Sequence, residues 1–311
     1  MTEDSPTVGL AGDRLYTGAT TLFALVVPVM LIVIFVAVGI AGWPALQQAG
    51  FSFVTSNQWN PGGGEFGAAP AIFGTVVTSL IALVIATPLA LGVGIFLSEF
   101  APPWLRQPVA FVVDLLAAIP SVIYGLWGIF VLIPLLREHV MPFLRDTLGL
   151  GNTPFFTGPA YGPSILAASL ILAIMVLPYV SAVTREVLLA VPRSQREAAL
   201  ALGATRWEVI RDAVLPYART GIVGGMMLGL GRALGETMGV SMLIRNRHEI
   251  YASLFSPGYT MASLIANEFS EATGDLHLAA LMAVGFVLLI VTFIVNVLAR
   301  ALVWQTARKA A

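Results

Sequence analysis

The chain has 311 residues, of which 58% are hydrophobic and only 11% are charged. A soluble domain carries about a quarter charged residues, so this composition excludes an ordinary soluble protein and predicts an integral membrane protein. The net charge of −1 leaves no bulk basic surface for nucleic acid. The absence of cysteine excludes disulfides, thiolate metal sites and cysteine nucleophiles.

Apolar stretches long enough to cross about 30 Å of hydrocarbon as a helix recur six times along the chain. We place them at residues 20–42, 71–97, 108–135, 163–191, 217–244 and 276–303. Only a helix satisfies its own backbone hydrogen bonds in lipid, so the sequence predicts an all-α membrane protein with six transmembrane helices. The first stretch is too long for a signal peptide and is predicted to be a retained span. Residues 20–303 then form one transmembrane domain between tails at 1–19 and 304–311.

Prolines lie inside several of these stretches, and we interpret all of them as kinks that packed neighbours tolerate. They are Pro28, Pro88, Pro120, Pro134 and Pro178.

The distribution of basic residues predicts the orientation in the membrane. With the N-terminus inside, the inner segments hold eleven arginines and lysines, whereas the outer segments hold only Arg137, Arg145, Arg245 and Arg247. Cytoplasmic loops carry an excess of basic residues, so both termini are predicted to be cytoplasmic.

The inner segment between the fourth and fifth stretches, residues 192–216, has two helix start signals. Ser194 with Glu197 and Thr205 with Glu208 each match a capping box. Gly203 falls between them, where the end of a helix favours a left-handed residue. The sequence therefore predicts a helix, a tight turn and a second helix that stops at Pro216.

This segment, "EAALALGATRWEVIRDAVLP", resembles the EAA loop of ABC importer permeases. The family pattern is EAA, three residues, Gly, nine residues, Ile, one residue and Leu-Pro. Six positions match it: Glu197, Ala198, Ala199, Gly203, Leu215 and Pro216. Position 213, where the family often has isoleucine, is alanine, a change that shrinks one apolar contact without altering the spacing.

The resemblance implies that residues 192–216 are a coupling loop that fits a cleft in a separate ATP-binding subunit. The chain has no Gly-rich turn followed by lysine that could hold phosphates, since its only lysine is Lys309. It is therefore predicted to be a transport subunit and not an enzyme, with no cofactor of its own and with ATP and Mg on the partner ATPase.

Four further stretches are similar to the permeases of the phosphate-specific transport (Pst) system, and more to the C-type than to the A-type subunit. They are "FGAAPAIFGTVVTSLIAL", "FLSEFAP", "IPSVIYGLWGIF" and "GRALGETM". This resemblance implies the fold of a type I (MetI-like) importer permease in the inner membrane of a bacterium. It also implies phosphate as substrate and three kinds of partner: a second, A-type permease, a dimeric ATP-binding subunit and an extracytoplasmic phosphate-binding protein.

Two charges inside the fifth apolar stretch are the candidate substrate residues. Arg232 and Glu236 are spaced i and i+4, which predicts that they stack on one face of a helix, where an unpaired charge is costly. Arginine presents parallel N–H donors to an oxyanion, and a nearby glutamate weakens that attraction so that the anion can leave. In the resembled family these two positions matter for phosphate movement. The alternative is a structural ion pair that ties helices together, and we favour the pathway.

Other polar residues are weaker candidates. Asp114 is interpreted as a structural residue near the inner end of the third span. His139, His248 and His277 are expected near the outer face but lie far apart in sequence, and no metal-binding or nucleophile motif is present.

Three other functions remain open on the sequence. One is a permease for another tetrahedral oxyanion. The second is an intramembrane enzyme acting on phosphorylated lipid, with Arg232 as a phosphate clamp but without an evident nucleophile, base or metal. The third is a membrane scaffold that recruits a soluble ATPase without moving a substrate.

Overall fold

The structure, a computed structural model, describes residues 10–308. The ends of the two predicted tails, residues 1–9 and 309–311, lie outside the described residues, and so does Lys309.

Six helices are long and apolar enough to cross a membrane. These spans, numbered one to six in chain order, are Gly12–Ala49, Ala69–Phe100, Ser121–Thr147, Ile165–Leu189, Arg206–Leu234 and Asp275–Ala301. The helices that contain the first and sixth spans extend further than predicted, through Leu10–Ala49 and Asp275–Arg308.

The fourth span is the central helix. Of its most apolar window 72% is buried, whereas the corresponding window of the first span is 0% buried and presents its apolar side chains outward. The fourth span packs along the second and the fifth, and the first span packs against the sixth. Small side chains bring spans two and four close together, because Ala82, Ala86 and Ala90 are fully buried against Ala168 and Ala173.

The predicted third span was wrong at its inner end. A separate helix, Pro103–Ala118, precedes it and buries none of its residues fully; we call it the elbow helix. Ile119 and Pro120 are extended, and the span begins at Ser121. Proline disfavours helical backbone in the residue before it, so Pro120 ends one helix and starts another instead of kinking a continuous one. The other four prolines lie inside helical segments.

Residues 43–70 contain the only regular strands in the described part of the chain. A hairpin of two short strands, Trp59–Asn60 and Glu65–Phe66, pairs Trp59 with Phe66. Its turn includes Gly64, which has a φ of +71°. The hairpin packs over the outer ends of the first and sixth spans and joins their hydrophobic core.

Two short helices complete the predicted outer side, Met238–Ile244 after the fifth span and Met261–Glu268 before the sixth; we call the second the outer helix. Gly74 of the second span contacts the backbone of Tyr259, which leads into the outer helix, and Thr75 Oγ1 accepts a hydrogen bond of 2.8 Å from the N–H of Met261. These contacts fix the outer helix against the bundle.

Candidate functional site

The fifth span ends at Leu234, two residues before Glu236 and ten residues before the predicted end of this span at residue 244. Its last helical residue is Leu234, Gly235 is its C-cap, and Glu236 and Thr237 connect it to the helix Met238–Ile244. The prediction that Arg232 and Glu236 stack on one continuous helix was therefore wrong. Glycine and threonine are poor helix formers, and Gly235 provides the point where the backbone leaves the helix.

The break nevertheless brings the two charges together. Arg232 Nη2 lies 3.8 Å from Glu236 Oε2, and the side chain of Glu236 is 6% exposed, against 36% for Arg232. The other carboxylate oxygen of Glu236 accepts a hydrogen bond of 3.4 Å from the N–H of Gly239, in the first turn of the next helix. A carboxylate at this end of a helix is favoured by the helix dipole. The buried partner is thus the anion, and the accessible partner is the cation.

Tyr179 of the fourth span supports Arg232 from the other side. The guanidinium carbon lies 4.9 Å from the centre of the Tyr179 ring, which is cation–π geometry. The Tyr179 hydroxyl donates a hydrogen bond of 3.2 Å to the carbonyl of Ala117, at the end of the elbow helix. Sequence reasoning missed Tyr179, because nothing in the local pattern distinguishes it from the other aromatic residues of an apolar span.

The guanidinium of Arg232 is held without using its hydrogen-bond donors. Among residues 10–308, no acceptor lies within hydrogen-bonding distance of it, since the ion pair at 3.8 Å is longer than a hydrogen bond. An arginine has five N–H donors. This side chain is therefore able to receive an anion.

Arg232 belongs to an exposed face of the fifth span that continues past its end to the start of the next helix. We call it the uncovered face, and it comprises Gly224, Leu228 and Arg232 of the span together with Gly235 and Met238 beyond it, all exposed. A Cβ placed on Gly224 would meet no atom within 4 Å. On the opposite face of the span, Gly221, Gly225 and Gly229 pack against valines of the fourth span.

The inner loop forms two helical segments joined by a turn, as predicted, but with different ends. The capping box of Thr205 and Glu208 is present, and Gly203 has a φ of +86°. The first capping box was wrong, because the helix Arg193–Ala201 begins directly after Pro192 and Ser194 already lies in its first turn. The predicted stop at Pro216 was also wrong. Within the fifth span, a π-helical segment, Val209–Val214, joins the short helix Arg206–Glu208 to the helix Leu215–Leu234. Pro216 lies in the first turn of that last helix, where a missing N–H is tolerated.

The exposed surface of this inner loop is apolar. Leu200, Leu202 and Trp207 are 50%, 90% and 58% exposed, respectively, whereas Ile210 and Val214 are buried. The residues that match the EAA pattern lie on the same segment: Glu197, Ala198 and Pro216 are exposed, and Ala199 and Leu215 are half-buried. Large exposed apolar side chains at the end of a membrane protein mark an interaction surface.

Arg196 ties the loop to the second span. Its guanidinium donates to both oxygens of Glu99, at 2.7 and 3.3 Å, and to the carbonyl of Leu188 at 2.8 Å. Asp114 also has a partner, Arg185 Nη1 at 3.7 Å, in agreement with the structural role expected for it.

A cluster on the predicted outer side escaped sequence reasoning. Glu268 accepts a hydrogen bond of 2.6 Å from the Trp59 indole N–H and lies 2.9 Å from His277 Nε2 and 3.4 Å from His248 Nε2. Burial by itself raises the pKa of the Glu268 carboxyl, but hydrogen bonds from His248, Trp59 and His277 together outweigh it, so this pKa lies below its usual range. Trp59 and Glu268 are 209 residues apart, and no local motif connects the members of this cluster.

The six-span bundle, the capped inner loop and the broken fifth span define a class, the permease components of importers. The sequence profile described as "Binding-protein-dependent transport system inner membrane component" matches residues 90–306. The chain belongs to this family, and it is a multi-pass transport component of the inner membrane. The predictions of the family and of a transport subunit in place of an enzyme are confirmed.

Within that family the chain belongs to the PstC permeases. It is 47% identical to the phosphate transport system permease protein PstC of Mesorhizobium japonicum, over 93% of this chain and 89% of that protein. It is 51% identical to the protein of the same name from Xylella fastidiosa, over 86% and 83%, and 45% identical to that of Haemophilus influenzae, over 94% and 93%.

Two solved structures support the predicted type I importer fold. A bacterial ABC transporter involved in the import of the acidic polysaccharide alginate matches with a TM-score of 0.58 over 93% of this chain and 99% of that chain. The inward-facing MetNI methionine ABC transporter matches with a TM-score of 0.54 over 76% and 94%. Both are 19% identical in sequence, so they show the fold alone.

Proposed function

We propose that this chain is a permease subunit that moves inorganic phosphate across the inner membrane, driven by ATP hydrolysis on a separate subunit. Its membership of the PstC family supports the substrate class. The observation that carries the proposal is the guanidinium of Arg232, which is exposed on the uncovered face and has no hydrogen-bond acceptor within residues 10–308. The permease domain is residues 20–303.

Arg232 and Glu236 form the substrate site in this proposal. Phosphate accepts hydrogen bonds from the free donors of Arg232, a charge-assisted contact for which arginine is suited. Glu236, 3.8 Å away and buried, keeps a negative charge beside the anion, which weakens binding and allows release. A pair that served only to tie helices would use its donors on the partner, and this pair leaves them open.

The uncovered face fits a second permease subunit. Small residues at positions 224 and 235 allow another helix to approach closely, and the two subunits would then enclose a path lined by Arg232. The partner in this proposal is the A-type permease of the same system.

Residues 192–216 are the coupling loop in this proposal. Glu197, Ala198, Ala199, Gly203, Leu215 and Pro216 form its framework, and the exposed Leu202 and Trp207 are its apolar contacts with the ATP-binding subunits. ATP and Mg would bind to those subunits. An extracytoplasmic phosphate-binding protein would deliver the substrate on the opposite side.

The test is uptake of labelled phosphate by cells that depend on this system, with matched expression of each variant. Arg232→Gln should abolish or sharply reduce uptake while the complex still assembles, because the amide loses the charge and leaves Glu236 uncompensated. Glu236→Gln should be milder, since the cation remains. Arg137→Gln, at an exposed arginine on the predicted outer side, is the matched control and should behave as wild type.

The pair exchange Arg232→Glu with Glu236→Arg distinguishes the two roles. A structural bridge tolerates the exchange, whereas an anion site is displaced. Normal uptake by Arg232→Gln would refute the pathway role. Competition by sulfate or arsenate in the same assay tests whether another tetrahedral oxyanion is the substrate.

A further inference from the structure

A cavity of about 620 Å³ opens between two loops on the predicted outer side. One wall is the segment after the third span, with Tyr161, and the other is the segment after the helix Met238–Ile244. Two arginines, Arg245 and Arg247, line it together with Tyr251. Neither wall belongs to the Arg232 site.

The two walls are joined by hydrogen bonds. The N–H of Leu254 donates to the carbonyl of Phe155 at 2.8 Å, and Ser253 Oγ donates to the carbonyl of Thr157 at 2.6 Å. Arg247 and Gly258 are also paired, because the N–H of Arg247 donates to the Gly258 carbonyl at 2.9 Å. These hydrogen bonds hold the two loops together, so the cavity between them has a defined shape.

Arg245 has a backbone conformation that arginine rarely adopts. Its φ is +70°, and the next residue, Asn246, has a φ of +46°. Left-handed backbone is unfavourable for a residue with a side chain, and it persists only where the surroundings fix it. Here Asn246 Nδ2 donates to the carbonyl of Ser241 at 3.1 Å, which closes the turn. The turn holds the guanidinium of Arg245 5.2 Å from the centre of the Tyr161 ring.

The charge of Arg245 is not neutralised within residues 10–308. The other three arginines of the predicted outer side each have a carboxylate within 4 Å on a neighbouring residue: Arg137 with Glu138, Arg145 with Asp146, and Arg247 with Glu249 at 3.7 Å. Arg245 has none there. The arginines that line the cavity thus leave it with a net positive charge, and Arg245 is exposed and makes no side-chain hydrogen bond within residues 10–308.

Arg245 and Arg232 lie at opposite ends of one short segment of chain. A helix of seven residues, Met238–Ile244, separates Arg245 from the break at Glu236 and rises about 10 Å. Met238 at the start of this helix is 51% exposed, and Arg245 at its end is also exposed. Arg245 therefore follows the uncovered face along the chain, at the far end of one short helix and closer to the predicted outer side.

We propose that this cavity is an outer oxyanion site that takes inorganic phosphate before it reaches Arg232, with Arg245 as the principal donor and Arg247 as the second. This inference rests on the proposed function. Two guanidinium groups near one cavity bind the oxygens of a tetrahedral anion through charge-assisted hydrogen bonds. The exposure of both keeps binding weak, as a site on a pathway requires.

The direct test is protection of arginine from phenylglyoxal in the assembled complex without its binding protein, quantified by mass spectrometry of the modified peptides. Phosphate at twice its Kd should slow modification of Arg245 about threefold relative to chloride at equal ionic strength, because labelling follows the unoccupied fraction. Arg145 serves as the internal control, since it is partly exposed on the predicted outer side and paired with Asp146; its rate should not change.

The result that overturns the proposal is an equal rate of modification of Arg245 with and without phosphate. Protection of Arg245 only by the docked binding protein, and not by phosphate, also overturns it and assigns the cavity to a carboxylate of that protein. This measurement does not depend on uptake. The outer site can therefore be refuted without refuting the proposed function, which is tested by uptake at Arg232.

Two variants provide the functional measurement. Arg245→Asn removes the charge but keeps a residue that tolerates left-handed backbone, and uptake at limiting phosphate should fall several-fold. Arg245→Lys keeps the charge and should retain more uptake than Arg245→Asn. Equal uptake by wild type, Arg245→Asn and Arg145→Asn at limiting phosphate contradicts the site.

Discussion

At the scale of single residues, Glu268 shows how this chain satisfies a charge on the predicted outer side of the bundle. Its carboxylate joins the hairpin through Trp59, the loop after the fifth span through His248 and the start of the sixth span through His277. The Trp59 ring also stacks on the ring of His248, with centroids 5.5 Å apart. One carboxylate therefore connects three segments that are distant in sequence.

We predict that Glu268→Gln destabilises the protein by about 1–3 kcal/mol at neutral pH, because hydrogen bonds to a charged acceptor are lost. Hydrogen bonds hold the pKa of Glu268 below 4.5, so its contribution is complete above about pH 4.5 and is lost as the pH falls through the folded-state pKa. Thermal unfolding in detergent at several pH values measures the effect. The difference between wild type and variant should shrink below pH 4.5, and a difference that grows there would contradict the assignment.

At the scale of elements, the second span shows how close packing depends on a single glycine. A Cβ on Gly74 would lie 1.9 Å from the carbonyl oxygen of Tyr259, and the backbone there leads into the outer helix. In the same span, a Cβ on Gly92 would meet nothing within 4 Å. The two positions provide a matched pair.

Gly74→Ala should destabilise the protein by about 1–3 kcal/mol or more, because overpacking against backbone forces the outer helix to move. Gly92→Ala should be neutral or should stabilise by up to about 1 kcal/mol, since alanine is the better helix former. Thermal unfolding of both variants in the same detergent checks this. Equal melting temperatures for the two variants would show that the contact at Tyr259 does not constrain the fold.

The turn in the inner loop is the second element that depends on glycine. Gly203 has a φ of +86°, and no atom of the described chain lies within 4 Å of an added Cβ, so a side chain at this position would extend away from the described chain. We predict that Gly203→Asp separates the permease from its ATP-binding subunit, because it places a charge in that interface and strains the turn. Copurification of the ATP-binding subunit is the measurement.

The control for this prediction is Gly203→Asn, which tolerates the same backbone but is uncharged. It should retain most of the interaction. Normal copurification and transport by Gly203→Asp would show that the loop does not dock as proposed.

At the scale of the whole molecule, the orientation follows from the excess of eleven inner over four outer basic residues and remains a prediction. Trp207→Cys should be protected from an impermeant thiol reagent in intact cells, and His139→Cys should be labelled. Gln58→Cys, at an exposed position beside Trp59, is the second outer site, because substitution of Trp59 itself would disrupt the Glu268 cluster. Labelling of position 207 from outside the cell would show that the predicted orientation is wrong.

Much of the architecture is determined by the sequence alone. A single apolar stretch satisfies all its own backbone hydrogen bonds in lipid only as a helix, so the six long apolar stretches form six spans. The turn at Gly203 and the capping box at Thr205 were also predictable, because their hydrogen bonds and backbone angles involve residues only a few positions apart. The same local spacing carries the resemblance to the EAA loop, which is why the family was recognisable.

Only the tertiary structure decided where helices break and which distant side chains meet. Pro120 and Pro178 both lie in predicted spans, yet only Pro120 divides a helix, because neighbouring helices stabilise the backbone around Pro178 in the central span. Tyr179 against Arg232 and the three residues around Glu268 come together through packing between helices. Such contacts depend on the relative placement of whole elements, which hydrophobic period and local spacing do not specify.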